Sequence, residues 1–101
     1  MSASEQHAPI KRRYERVTVM WSGTLTVGRR AIGCIVRNIS AGGATVQVET
    51  PIVVSSVAVT LDTNRIGSLR SKVVWHQADL VGLRFLEKPQ RVARALGTTL
   101  P

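Results

Sequence analysis

The chain has 101 residues, which is enough for one compact domain and too few for two independent cores. Its 44% hydrophobic content is too high for a disordered regulator, and no stretch approaches the roughly 18 uninterrupted apolar residues of a membrane-spanning helix. The formal net charge of +8, carried mostly by arginine, indicates an anionic partner, since the planar guanidinium binds phosphate or a guanine edge through paired hydrogen bonds.

The first nine residues lack the order of basic and then apolar residues that a secretory signal has. They predict a flexible polar arm at 1–9, followed by one domain at 10–98, and we expect a cytoplasmic protein. The single cysteine, Cys34, excludes an intrachain disulfide and a cysteine-based metal cluster, and its apolar neighbours predict a small buried side chain.

Six segments combine β-forming residues with an alternation of apolar and polar positions. Short turns rich in Gly, Asn and Ser separate most of them, and the first two segments predict a hairpin. No segment between strands is suited to a crossover helix, so an antiparallel arrangement is favoured over a parallel one. The predicted strands are 17–27, 32–37, 44–50, 56–62, 68–77 and 80–86.

Only the C-terminal segment has a helical pattern. Pro89 suits the first helical position, the apolar residues Val92, Ala95 and Leu96 share one face, and Gly97 suits the stop. The fold class predicted is therefore all-β: a six-stranded antiparallel β-barrel with a short C-terminal α-helix packed on it.

Residues for enzymatic chemistry are few. His7 lies in the polar arm, His76 lies on the predicted outer face of a strand, and Asp62 and Asp79 lie at strand ends. No histidine pair has the spacing of metal ligands, and no glycine-rich phosphate loop opens a helix. The sequence therefore predicts a protein that is not an enzyme and has neither a metal nor a cofactor.

Two polar segments remain to be explained. The first is Lys11-Arg12-Arg13-Tyr14-Glu15-Arg16, which enters the first strand, and the second is the turn Asn38-Ile39-Ser40-Ala41-Gly42-Gly43. Each alone is compatible with a solvated loop or an ordinary turn. Together they offer guanidinium groups beside an amide, a hydroxyl and a glycine, which suits a guanine nucleotide with its phosphates.

These segments resemble the paired RxxxR and [D/N]xSxxG motifs of PilZ domains, which bind the bacterial second messenger cyclic di-GMP. Asn38 follows Arg16 by 22 residues, which leaves the two strands that the family has between its motifs. The stretch VVWHQADLVGLRF resembles the family's closing strand pair. The resemblance covers roughly residues 11–87 and implies a stand-alone cyclic di-GMP receptor.

The resemblance implies a role for each matching residue. Arg12 and Arg16 would contact guanine and phosphate, Asn38 and Ser40 would hydrogen-bond a guanine, and Gly43 would keep the turn open. Lys11 and Arg13 add basic charge beside the first motif. Trp75 resembles a family tryptophan near the ligand, although its parity with neighbouring apolar residues equally predicts a core position.

The mechanism expected is a switch without chemistry, in which ligand phosphates neutralise the clustered arginines, fold the arm onto the barrel and change the surface shown to a protein effector. The family implies an adaptor in motility, surface polysaccharide or virulence control, with one or two cyclic di-GMP molecules per chain. Two alternatives remain: a basic barrel that binds single-stranded nucleic acid, and a structural adaptor without a ligand.

Overall fold

The computed structural model describes residues 16–50 and 58–99, which form a closed antiparallel barrel with one helix. Neighbouring strands follow the order β1-β2-β3-β6-β5-β4, and β4 pairs with β1 to close the barrel. The elements are β1 (Val17–Val27), β2 (Arg30–Ile39), β3 (Gly43–Val48), β4 (Ala58–Thr63), β5 (Gly67–Gln77), β6 (Leu80–Phe85) and α1 (Pro89–Thr99). The predicted fold class is confirmed.

Strand positions agree with the alternation in the sequence, with differences at the ends. The predicted third strand ran to residue 50, but β3 ends at Val48. The predicted fourth strand began at 56, and its first two residues lie outside the described part of the chain. The hairpin predicted from the first two segments is formed by β1 and β2 around Gly28, whose φ of 62° suits glycine.

The barrel interior is filled by the inward-facing residues of all six strands. The side chains of Leu25, Val36 and Leu61 are completely buried, and the one thiol, Cys34, is buried as predicted. Burial of this apolar set supplies most of the free energy that drives folding. The other buried apolar strand residues are Trp21, Ile32, Ile39, Ala44, Val46, Val48, Val59, Leu69, Val73, Val81, Leu83 and Phe85.

Helix α1 packs on the barrel through the face that the sequence predicted. Val92 and Leu96 are buried in the same core cluster as the strand residues. The predicted stop at Gly97 is wrong, because the helix continues to Thr99. A glycine stop requires a positive φ, and Gly97 is not among the described residues with that conformation.

One close approach fixes how β3 and β6 pair. Gly43 is buried opposite Arg84, and a Cβ at position 43 would overlap the backbone carbonyl oxygen of Leu83. A backbone oxygen cannot move aside as a flexible side chain can. Glycine is therefore required here by the distance between two strands, and not by a positive φ.

We predict that Gly43→Ala lowers the free energy of unfolding by about 1–3 kcal/mol, because the new methyl group forces β3 and β6 apart. The matched control is Gly97→Ala, where nothing lies within 4 Å of the added Cβ. That variant should gain about 0.5–1 kcal/mol from helix propensity. Urea unfolding followed by tryptophan fluorescence measures both, and equal stability of the two variants would contradict the steric argument.

Candidate functional site

The turn between β2 and β3 is held by the hydroxyl of Ser40. Ser40 Oγ accepts hydrogen bonds from the backbone N–H groups of Gly42 and Gly43, at 3.1 and 3.3 Å. The Ser40 N–H donates to the Gly43 carbonyl at 2.8 Å, and the Phe85 N–H donates to the Gly42 carbonyl at 2.9 Å. Ser40 is only 3% exposed. The turn is therefore rigidly built and attached to the end of β6.

A direct hydrogen bond joins the two predicted motifs. Arg16 Nη1 donates to Asn38 Oδ1 at 2.5 Å, across the β1–β2 ladder in which Thr18 pairs with Asn38. Arg16 is exposed and Asn38 is half-buried, so both polar groups lie at the surface of the barrel. The predicted site residues Lys11, Arg12 and Arg13 lie outside the described residues.

The ladder registers place Trp75 on the same outer surface as Asn38. Asn38 pairs with Thr45, Thr45 with Gly82, and Gly82 with Trp75, which gives one row across four strands. The row spans three strand spacings, or roughly 14 Å between the backbones of Asn38 and Trp75. Between these two ends lie Thr45, which is half-buried, and Gly82, which is buried beneath the Trp75 indole.

Trp75 is 42% exposed, so the alternative of a core position is wrong. The register of β5 shifts between Val73 and Trp75, and this bulge ends the alternation that had grouped Trp75 with the core. The indole lies over Gly82, where a Cβ would overlap the ring. The Trp75 side chain therefore lies along the sheet with one face available for stacking.

Gly82 and Thr45 belong to this row of residues, and sequence reasoning did not assign them to the site. Both have ordinary strand parity, and neither carries a group with distinctive chemistry. The signal that could have identified them is the pairing of Trp75 with a glycine. A glycine opposite a tryptophan leaves room for the indole ring to lie flat on the sheet.

Ion pairing is concentrated away from this surface. Among residues 16–50 and 58–99, both recorded salt bridges involve Glu87, which contacts Arg70 and Arg91 at 3.3 Å. The hydrogen bonds from the Arg70 backbone and side chain lower the pKa of Glu87. This cluster links β5 to α1 and supports the fold.

Other chemistry has little support in the described ranges. Burial, with a smaller contribution from the charge of Glu49, raises the pKa of Cys34 to about 11, so its thiol is protonated at neutral pH. The described residues contain no cluster of three or more His, Cys, Asp or Glu side chains suited to a metal ion. His76 is exposed, as expected for a surface histidine. Within the same ranges, no helix is long and apolar enough to cross a bilayer.

Comparisons with known proteins agree with the barrel fold. A model of the PilZ domain family matches residues 10–99. A crystal structure of the PilZ domain of CeSA from a cellulose-synthesizing bacterium aligns with a TM-score of 0.68 and 14% identity, covering 84% of this chain and 94% of that one. An uncharacterized Legionella protein aligns with a TM-score of 0.53 and 19% identity, covering 84% and 90%. No curated protein matches the sequence.

We predict that Ser40→Ala lowers the free energy of unfolding by about 1–2 kcal/mol, because two backbone N–H groups lose their acceptor in a buried turn. Ser68→Ala is the matched control, since Ser68 is exposed and its hydroxyl donates only to the carboxylate of Asp62. The control should stay within about 0.5 kcal/mol of the unmodified chain. Thermal or urea unfolding without added nucleotide measures both, and a neutral Ser40→Ala would show that the hydroxyl does not hold the turn.

Proposed function

Because the chain belongs to the PilZ domain family of cyclic di-GMP receptors, we propose that it binds cyclic di-GMP on the outer barrel surface between Arg16, Asn38 and Trp75. The observation that carries the proposal is the 2.5 Å bond between Arg16 and Asn38, which brings the two motif segments to one point. A match of the motifs alone leaves open whether the chain brings their side chains together.

The polar groups have separate roles in this proposal. The Arg16 guanidinium binds a ligand phosphate and the O6/N7 edge of guanine, for which its forked donors are suited. The Asn38 amide offers a donor and an acceptor to a guanine, in exchange for its bond with Arg16. Ser40 acts mainly through the turn, because its hydroxyl is buried and already bonded to Gly42 and Gly43.

Trp75 supplies a stacking surface at the other end of the row that begins at Asn38. Its indole is exposed and supported from beneath by the backbone of Gly82. Stacking of a nucleobase on such a ring contributes roughly 1–3 kcal/mol. The proposal therefore predicts that the fluorescence of Trp75 responds to the ligand.

Lys11, Arg12 and Arg13 complete the proposed site from the N-terminal side. Four cationic side chains within six residues repel one another, and ligand phosphates relieve that repulsion. We propose that the segment closes over the bound nucleotide and presents a changed surface to a protein effector. The output is then an adaptor function in the cytoplasm, in motility, surface polysaccharide or virulence control, as the family implies.

Single-stranded nucleic acid is the less supported ligand. Grooves for such strands stack several bases on exposed aromatic rings. In the described part of the chain Trp21 and Phe85 are buried, and Trp75 is the one exposed aromatic side chain. Oligonucleotide binding that tightens with strand length and falls steeply with salt would favour this alternative.

We predict that the unmodified chain binds cyclic di-GMP and that Arg16→Ala and Asn38→Ala each weaken binding roughly 10- to 100-fold, the value of one or two charge-assisted hydrogen bonds. Isothermal titration calorimetry measures this. Arg16→Ala should hardly change the unfolding midpoint, because it removes one exposed hydrogen bond.

The control is Arg94→Ala, which removes an exposed arginine from α1 and leaves the proposed site intact. It should bind cyclic di-GMP as tightly as the unmodified chain. If the unmodified chain gave no binding heat at micromolar concentrations, the proposed function would be wrong. If Arg94→Ala and Arg16→Ala weakened binding equally, general charge and not a site would explain the affinity.

A further inference from the structure

A β-bulge brings Asn38 to the outer surface beside Arg37. In β2, Val36 pairs with Val46 and Asn38 pairs with Thr45, so Arg37 has no opposite partner in β3. In a regular strand neighbours point to opposite faces, so with Val36 buried Arg37 would point outward and Asn38 inward. The bulge instead turns Asn38 outward, so that it lies half-buried on the same face as the exposed Arg37.

Two further side chains hold the Arg37 guanidinium in place. Arg37 Nη1 donates to Gln47 Oε1 at 2.7 Å, and Gln47 Nε2 donates to Asp79 Oδ2 at 2.7 Å. The Val48 N–H donates to the Asp79 carbonyl at 2.8 Å, so the residue at the end of this chain of bonds is itself fixed to β3. A chain of hydrogen bonds therefore runs from the β5–β6 turn to Arg37.

The side-chain amide of Gln47 is suited to the middle position of this series of hydrogen bonds. It accepts a bond from a cation and donates one to an anion at the same time, which no carboxylate or ammonium can do. Gln47 thus orients Arg37 without neutralising it and keeps the Asp79 carboxylate one side chain away. The guanidinium keeps its full charge and its remaining donors for an anionic ligand.

Arg16 and Arg37 flank Asn38 from opposite directions along β2. Arg16 precedes Thr18, the β1 partner of Asn38, and so lies on the side of the turn at 40–43. Arg37 reaches Gln47, which pairs with Ile35 and Leu80, on the other side of the row that contains Asn38. A ligand with two phosphates on opposite sides of a ring meets a guanidinium on each side of such a site.

We infer that Arg37 is a further ligand-binding residue, which contacts a phosphate of the cyclic dinucleotide, and that Gln47 and Asp79 are positioning residues that act through Arg37. This assignment rests on the proposed function. It adds to the motif residues an outward-facing cation, and the bulge brings Asn38 to the same face as this cation.

The test compares Arg37→Gln with Arg30→Gln by calorimetric titration with cyclic di-GMP. Arg30 is exposed on the same strand, at the end that pairs with Val27 and away from Asn38. Arg37→Gln should weaken binding roughly tenfold and reduce the dependence of affinity on ionic strength, because one charge-assisted bond is lost. The affinity of Arg30→Gln for cyclic di-GMP should stay within about twofold of that of the unmodified chain. Unfolding midpoints confirm that both variants are folded.

The positioning role is tested by a double-mutant cycle. Gln47→Leu should weaken binding roughly threefold, and the double variant Arg37→Gln/Gln47→Leu should bind no more weakly than Arg37→Gln alone. Additive losses would overturn the positioning role, since Gln47 would then act independently of Arg37. If the unmodified chain binds cyclic di-GMP but Arg37→Gln and Arg30→Gln bind it with equal affinity, this inference is wrong and the proposed function stands. If the unmodified chain does not bind, both are wrong.

Discussion

The contact between Gly43 and the backbone of β6 is the constraint on which the site depends. It allows β3 to pair with β6 at close range, and that pairing interrupts the sequential order of strands in the barrel. The same end of β6 receives the turn through the bond from Phe85 to the Gly42 carbonyl. As a result, the turn and the row from Asn38 to Trp75 belong to one rigid surface, although the two residues are far apart in the chain.

Within this surface, structural roles and the proposed binding roles fall to different neighbouring residues. Ser40 is buried, and its hydroxyl satisfies the backbone of the turn. Arg16, Arg37 and Trp75 are exposed, and each is held by one contact: with Asn38, with Gln47 and with Gly82. Such fixed but accessible groups lose little conformational entropy when a ligand binds, and this preorganisation favours affinity.

Much of the fold was predictable because barrel strands alternate strictly where one face is buried. The residues from Val17 to Val27 show this pattern, and the structure has a strand with the same limits. The continuation of α1 past Gly97 to Thr99 was not predictable from composition, since glycine continues a helix when its φ stays negative. The positive φ of Ala78, 55°, is equally hidden, because alanine is not a residue that a sequence pattern associates with that conformation.

The candidate site was predictable to the extent that it depends on residue types at fixed spacing. Asn38, Ser40 and Gly43 stand out as a turn, and their relation to Arg16 follows from the hairpin between them. The alternation left the position of Trp75 open and did not show that Arg37 and Asn38 share a face, because a bulge lies at each place. A bulge depends on how two strands fit together, and a period of two in one strand does not contain that information.

The most direct measurement of the central claim is a two-dimensional NMR titration of the isotope-labelled chain with cyclic di-GMP. The account predicts that the largest changes occur at the Trp75 indole N–H and at the backbone amides of Asn38 and Gly43. The threonines on the opposite outer face, Thr24 on β1 and Thr60 on β4, should stay unchanged. No changes at all, or changes centred on Thr24 and Thr60, would contradict the account.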